Sequence, residues 1–456
     1  MKQPNILFIF SDQQRWDTVG AYGQKLDVTP NLDRLARTGV IFENAFTCQP
    51  VCGPARACLQ TGKYATEVGC FRNGIALPLD ETTIAHRLSG VGYDVGYVGK
   101  WHLASTRKLG DKDIDYREKA IPPERRGGYK DYWVASDILE FTSHSYDGHM
   151  FNADMERVDF PEGRYRVDCV TDYALDFLRG WSRDNPFFLF ISYIEPHHQN
   201  DHKRYEGPHG SKERFKDFEV PGDLADTAGN WRENYADYLG CCFSIDQNVG
   251  RLVDQLEDIG VLNDTLIIYT SDHGSHFKTR NSEYKRSCHD GCIRIPMILN
   301  GPGFNSGKRV NNLVSLIDLP KTICSAAGAA VPDEMQGRDL RSRSIGSDTD
   351  WNDEVFLQIS ESQVGRAVRT RKWKYSIRAP GKSGTDDMDS DEYREDFLYD
   401  LEKDPHEKNN LAADPGCEEI RSVLRERIIV RMKAAGETPP VIKNADGEVL
   451  RIKNGR

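Results

Sequence analysis

Cys52-Gly53-Pro54-Ala55-Arg56 is the stretch of this 456-residue chain whose residue types most invite chemistry. Pro54 suits the first turn of a helix, where its missing N–H costs nothing. Cys52 then stands at the positive end of that helix, where backbone N–H groups and the dipole favour an anion. Taken alone, the stretch reads equally well as a buried thiol ahead of a capped helix. Other polar groups follow apolar runs. Asn5 to Phe10 leads into Asp12, Asp94 to Val98 into Lys100 and His102, Phe187 to Ile191 into His197, and Leu266 to Thr270 into Asp272 and His273. Carboxylates can hold a hard cation, imidazoles can move protons, and an ammonium can compensate negative charge.

The preceding runs are what would bring these groups together. Each is short and continuously apolar, the pattern of a strand buried on both faces. Helical spacing lies between them, as in Pro30 to Thr38 and Tyr235 to Ile259. This alternation predicts an α/β fold, a large and mostly parallel sheet between helices. Open sheets of that kind bind ligands beyond the carboxyl ends of their strands, so the four endings should share one rim. The stretch from Asn200 to Asn230 is polar and aperiodic, and it is expected to be a surface loop near that rim.

A second region is expected from about Asp350. Glu354 to Leu357 and Trp373 to Ile377 read as strands, separated by turn-prone sequence and an acidic loop from Asp386 to Asp396. Ile420, Val423, Leu424, Ile428 and Met432 share one face of a helix from Glu418 to Ala435. The expected organisation is a catalytic domain over 1–349 and a smaller domain over 350–456, an antiparallel sheet packed on a helix.

Charged residues make up 29% and hydrophobic residues 38%, which excludes a disordered or fibrous chain. The net charge of −11 argues against nucleic-acid binding and would repel a polyanion at long range, so an anionic substrate needs a local cationic cluster. No apolar run is long enough to span a bilayer, and the start lacks a secretory pattern, which points to the cytoplasm. Eleven scattered cysteines fit reduced, buried thiols better than a disulfide framework or a zinc site.

Cys52-x-Pro54-x-Arg56, with Gln49-Pro50 before it and Leu59-Gln60-Thr61-Gly62 after it, resembles the maturation signature of sulfatases. Further matches run in order along the chain. They are Pro4 to Asp12, Thr29-Pro30-Asn31-Leu32-Asp33, Gly99-Lys100-Trp101-His102-Leu103, Pro196-His197, Ser271-Asp272-His273-Gly274, Tyr284-Lys285 with Arg294-Ile295-Pro296, and Leu398-Tyr399-Asp400-Leu401 with Asp404-Pro405 and Asn410-Leu411. The resemblance implies hydrolysis of sulfate esters by a formylglycine that a maturation enzyme makes from Cys52. It also implies a divalent cation held by Asp12, Gln13, Cys52, Asp272 and His273. Calcium is the first expectation; the amide and imidazole widen the choice toward manganese.

By the same resemblance, Arg56 and Lys100 hold the hydrated aldehyde and neutralise sulfate, and His102 takes a proton from the hydrate. His197 and Lys285 bind sulfate oxygens, and one of them protonates the leaving alcohol; His198 could exchange roles with His197. Arg72, His276 and His289 are candidates to line a sugar pocket, or to stand at the rim in water. A sulfated saccharide, from a glycosaminoglycan or a mucin-type amino sugar, is the leading substrate. The Asp-Gln and Asp-His pairs also occur in phosphonate monoester hydrolases on the same scaffold, which keeps phosphonate monoesters and phosphate diesters open. A sulfated-glycan binder without turnover is the third alternative.

Overall fold

The computed structural model describes residues 3–110, 112–341, 351 and 354–446. The expected domain boundary at 349/350 lies outside the described residues.

A ten-stranded sheet forms the centre of the larger part. Across it the strands run Lys308–Ser315, Val40–Phe46, Met297–Asn300, Thr265–Ser271, Asn5–Ser11, Phe187–Ser192, Asp94–Lys100, Tyr132–Ser136, His149–Phe151 and Arg157–Asp159. The four strands anticipated from their apolar runs lie side by side and parallel, with Asn5–Ser11 between Thr265–Ser271 and Phe187–Ser192. Met297–Asn300 runs antiparallel to both its neighbours, and the pairings of Tyr132–Ser136 with His149–Phe151 and of that strand with Arg157–Asp159 are antiparallel too.

Continuous apolar strands were expected to be buried on both faces, and they are. Ile6, Phe8 and Phe10 pack under the helices Cys52–Thr61, Ile84–Ser89 and Asp318–Ala327. Leu7 and Ile9 pack on the opposite face with Pro30–Thr38, Arg166–Gly180 and Trp231–Asp258. Phe8 and Phe190 stack across adjacent strands at 4.5 Å, and Tyr97 stacks on Phe190 at 5.1 Å. The helix Pro30–Thr38 takes its cap from a distant residue: Asp246 accepts from the Asn31 N–H at 3.1 Å and the Leu32 N–H at 2.8 Å. A cap of this kind stabilises by about 1 kcal/mol.

The smaller sheet has five strands in sequence order, Glu354–Ile359, Gly365–Thr370, Trp373–Arg378, Glu392–Asp400 and Val441–Lys443. Its last pairing is parallel, and the end of the anticipated acidic loop is the strand Glu392–Asp400. The helix Glu418–Ala434 buries Leu424, Ile428 and Met432 against Tyr375, Ile377 and Leu398, while Val423 remains exposed. Each fully buried aliphatic side chain there contributes about 1.5–3 kcal/mol. The other face of this sheet, through Val355, Leu357 and Ile359, meets Phe46, Cys288, Cys292 and Ile293 of the larger part.

The segment from Asn200 to Asn230 is the mostly exposed, irregular loop expected of it, but it is anchored at a few points. Tyr205, Phe215 and Leu224 are buried with Tyr235, Tyr238 and Phe277. Three widely spaced anchors leave no periodicity to read, yet they pin the segment to the long helix behind the rim. All eleven cysteines are free thiols. Among the described residues, no helix is long and apolar enough to cross a membrane.

Candidate active site

The carboxyl ends of the four parallel strands converge on Cys52, the first residue of its helix. Its sulfur lies 3.3 Å from Asp12 Oδ1, 3.3 Å from His273 Nε2 and 2.9 Å from Lys285 Nζ. Lys285 Nζ is also 3.2 Å from His197 Nε2. Asp12 Oδ2 accepts from Lys100 Nζ at 2.7 Å and from Arg56 Nη2 at 3.1 Å. The Arg56 guanidinium reaches past them to the Lys100 carbonyl at 2.9 Å and Ser192 Oγ at 2.7 Å. Asp272 Oδ1 accepts the backbone N–H groups of Gln13 at 2.9 Å and His273 at 2.8 Å.

Backbone geometry sets this convergence. Gly99 has φ +107°, and a Cβ there would stand 2.0 Å from the Ser192 carbonyl oxygen, so only glycine lets the Lys100 strand lie so close to its neighbour. Gly53 works likewise: a Cβ would meet Asn73 Oδ1 at 3.0 Å, the atom that accepts the Gly53 N–H at 2.8 Å. Gln13 and His102, each just past a strand, have φ +73° and +60°. Left-handed backbone at non-glycine residues costs on the order of 1–3 kcal/mol and collects at functional sites. Here it is held by the Gln13 carbonyl accepting from Tyr238 Oη at 2.6 Å and the His102 N–H donating to the Asp137 carbonyl at 2.7 Å.

Burial and crowding divide the two acids. Burial would raise Asp12, but the charges of Lys100, Arg56 and Lys285 hold it well below the ordinary carboxylate range. Asp272 is pushed up to about 7, by burial and then by the charge of Asp12. Burial and neighbouring cations keep His102, His197 and His273 well below the ordinary histidine value, so all three are neutral imidazoles. Lys285 goes the other way. Burial opposes its charge, yet Cys52, Tyr284 and Asp12 hold it above the usual lysine value.

The donor set fits a divalent cation. One donor atom from each of Asp12, Cys52, Asp272 and His273 lies within 4.8 Å of all the others, and all four residues are buried. Asp272 Oδ2 of this cluster accepts no hydrogen bond, and neither does the buried Oε1 of Gln13, the residue that follows Asp12. The Gln13 amide is turned by its other end, with Nε2 2.5 Å from Tyr205 Oη and 3.3 Å from Ser275 Oγ. Oriented, unpaired oxygens beside two mutually repelling carboxylates are what a hard cation relieves.

The expected substrate-facing residues take a different place. His276 is buried with Nε2 3.0 Å from the Lys285 carbonyl, and its N–H is bonded to the Tyr284 carbonyl, so it supports the Lys285 segment. His289 is buried between Ser287 Oγ at 3.2 Å and Tyr399 Oη at 3.0 Å. Arg72 is spent on the carbonyls of Asn73, Arg107 and Lys108. Their polar types suggested a pocket, but each is used within the protein. His198 stacks on Tyr284 with ring centroids 4.9 Å apart, leaving His197 as the histidine beside Lys285. Sequence reasoning missed Asp137, Glu140 and Tyr205. Glu140 Oε2 lies 3.9 Å from His197 Nδ1 behind the rim. No spacing pattern marks residues that act through backbone turns.

The chain is similar to known proteins over most of its length. The family described as Sulfatase matches residues 4–329, and that described as N-sulphoglucosamine sulphohydrolase, C-terminal, matches residues 282–434. An ulvan-active sulfatase of Formosa agariphila is 28% identical, covering 95% of this chain and 82% of its own. An N-acetylglucosamine-6-O-sulfatase of Bacteroides thetaiotaomicron is 25% identical over 90% of this chain and 83% of its own. A protein solved in complex with its substrate D-glucosamine-2-N,6-O-disulfate superposes with a TM-score of 0.77 at 23% identity, covering 96% of this chain and 99% of that one. The chain belongs to the sulfatase family and is a sulfuric ester hydrolase.

Proposed function

We propose that the enzyme removes sulfate from a sulfated saccharide, with Cys52 matured to formylglycine and a divalent cation held by Asp12, Gln13, Asp272 and His273. A 6-O-sulfated amino sugar derived from a glycosaminoglycan or mucin is the favoured substrate. The observation that carries this reading is the single sulfur of Cys52 standing within 3.3 Å of an acid, an imidazole and an ammonium at a helix N-terminus. The relatives named for ulvan and for N-acetylglucosamine 6-O-sulfate support a sugar as the alcohol part.

When present, the cation, calcium or else manganese, would polarise the sulfate oxygens, and the hydrated aldehyde would supply the attacking oxygen. The chain's own groups do the rest. Lys100 and Arg56 keep Asp12 ionised and lend positive charge to the sulfate. His102, neutral, is free to accept a proton at the nucleophile. Lys285 is protonated and His197, 3.2 Å away, is neutral, so Lys285 Nζ is the acid of the pair that gives its proton to the departing alcohol. Sulfate transfer depends on such charge compensation more than on covalent help.

The test is the mass of the Cys52 peptide from protein co-produced with a maturation enzyme, together with turnover of aryl sulfate and sulfated monosaccharides. Conversion to the lighter aldehyde, with turnover lost in Cys52→Ala, is the expected result. Full conversion with turnover of aryl phosphonate but not sulfate would replace this reading with the phosphonate one. Glycan binding by converted protein without any turnover would mark a binder.

A further inference from the structure

Beside the reacting residues stands an ion pair that makes and breaks no bonds in the proposed reaction. Arg286, the residue after Lys285, and Glu361, at the tip of the hairpin joining Glu354–Ile359 to Gly365–Thr370, meet with Nη2 2.5 Å from Oε2. Their side chains are only 18% and 13% exposed. Both residues have left-handed backbone, φ +69° and +65°. Such backbone at non-glycine residues persists only where the surroundings fix it, and it collects at functional sites.

The other oxygen of Glu361 serves the nucleophile's side. Oε1 accepts the Asn73 N–H at 2.7 Å, and Asn73 Oδ1 accepts the Gly53 N–H at 2.8 Å, in the first turn of the Cys52 helix. One carboxylate thus holds the start of that helix through Asn73 and the segment carrying Lys285 through Arg286. Its neighbours in the hairpin repeat the pattern. Ser360 Oγ accepts from Gln49 Nε2 at 2.8 Å, three residues before Cys52, and Ser362 Oγ donates to the Arg286 carbonyl at 2.6 Å. The hairpin tip is itself fixed: the Glu361 N–H donates to the Gly384 carbonyl at 2.8 Å, and a Cβ on Gly384 would stand 2.7 Å from Gln363 N.

We propose that Glu361 is a positioning residue of the reaction, tying the nucleophile's helix to the Lys285 segment and so setting the 2.9 Å approach of Lys285 Nζ to residue 52. The inference rests on the role proposed above for Lys285 as the acid that serves the departing alcohol. An acid must stand within hydrogen-bond reach of the group it protonates, and a misplacement of about 1 Å can cost about 10²-fold. The loss falls hardest on poor leaving groups. Nitrophenolate departs with little help, whereas a more basic oxygen needs the proton as its bond to sulfur breaks.

The test is steady-state turnover of a series of aryl sulfates, from 4-nitrophenyl to unsubstituted phenyl sulfate, by fully converted protein. Glu361→Ala is expected to lower kcat on phenyl sulfate by roughly 10–100-fold, and on 4-nitrophenyl sulfate by no more than a few-fold, with KM little changed. Arg286→Ala is expected to show the same dependence on leaving group. The double variant should lose no more than Glu361→Ala alone, because the pair acts as a unit. Glu361→Gln keeps an acceptor for Asn73 without the charge for Arg286 and is expected to lie between wild type and Glu361→Ala. A loss equal across the series would overturn the assignment, as would a raised KM at unchanged kcat, which would make Glu361 a substrate contact. A Glu361→Gln profile identical to wild type would overturn it too, even if the alanine variant folds poorly. Lys285→Ala separates this inference from the function beneath it. A flat response there removes the acid and this inference with it, whereas leaving-group dependence there and none in the Glu361 variants removes Glu361 alone.

Discussion

The ammonium of Lys285 sits 2.9 Å from the sulfur of Cys52, although 233 positions of chain separate them. That contact places a buried positive charge at the reacting residue, whereas Lys100 is bonded to Asp12 instead. Lys285→Ala in fully converted protein is therefore expected to lower kcat on an aryl sulfate by roughly 10²–10³, with a smaller change in KM. A kcat within a few-fold of wild type would remove Lys285 from the chemistry.

Asp12 is the common partner of two buried cations, and its loss should be felt by the fold as well as the site. Asp12→Asn leaves Lys100 and Arg56 facing a neutral amide. Breaking a buried pair this way costs about 3–5 kcal/mol. The expected result is a melting temperature lower by several degrees together with loss of turnover. An inactive variant with unchanged melting would show that the two cations find another partner.

The unconverted protein should carry a sluggish thiol at position 52. Burial, and then the charge of Asp12, push Cys52 up to about 12 against the pull of Lys100 and Lys285. A raised thiol is protonated below that value, so at neutral pH almost no thiolate is present. Iodoacetamide labelling of unconverted protein in chelator is expected to reach Cys417, the only cysteine that is not buried, well before Cys52. Labelling of Cys52 should quicken as pH rises. Rapid labelling near neutrality would contradict the environment described.

The smaller sheet clamps the Lys285 segment from both sides. Lys374, wholly buried, bonds Asp290 and Glu407, while Arg280 donates to the carbonyls of His406 and Glu407 at 2.7 Å each. Lys374→Met leaves two buried acids facing each other, at an expected cost of about 3–5 kcal/mol. The pH dependence has a definite sign. Burial, and then the charge of Asp290, push Glu407 up to about 7 against the pull of Lys374. An acid raised on folding contributes stability that is full below its unfolded value and is lost as pH rises through the folded one. Removing Lys374 raises Glu407 further, so the variant's deficit in melting temperature is expected to be smaller at about pH 5 than at about pH 8. A deficit independent of pH would mean that Glu407 does not carry it.

The parts of this site that the sequence displayed are those where chain direction alone decides position. A continuous apolar run such as Asn5 to Phe10 must be an interior strand, and its next polar residue must emerge at the sheet's rim; Asp12, Lys100, His197 and Asp272 follow from that. His276 and His289 could not be read the same way. They lie in irregular backbone, where whether an imidazole faces solvent or a neighbouring carbonyl depends on turns with no periodicity. Tyr205 was hidden for the related reason that a single aromatic in a polar stretch carries no pattern. The insertion of Met297–Asn300 as an antiparallel strand was equally silent, since three apolar residues, Met297 to Leu299, fit a strand in either direction.

Cys52 is only 1% exposed, and part of what covers it arrives late. Its helix lies in the first seventh of the chain, whereas Asp272, His273 and Lys285 are synthesised more than two hundred residues afterwards. Under the maturation proposed for Cys52, an enzyme that must grasp its side chain is expected to act before those later segments close over it. For such a residue the timetable of biosynthesis matters as much as the finished architecture, and a chain that folds first would keep its thiol.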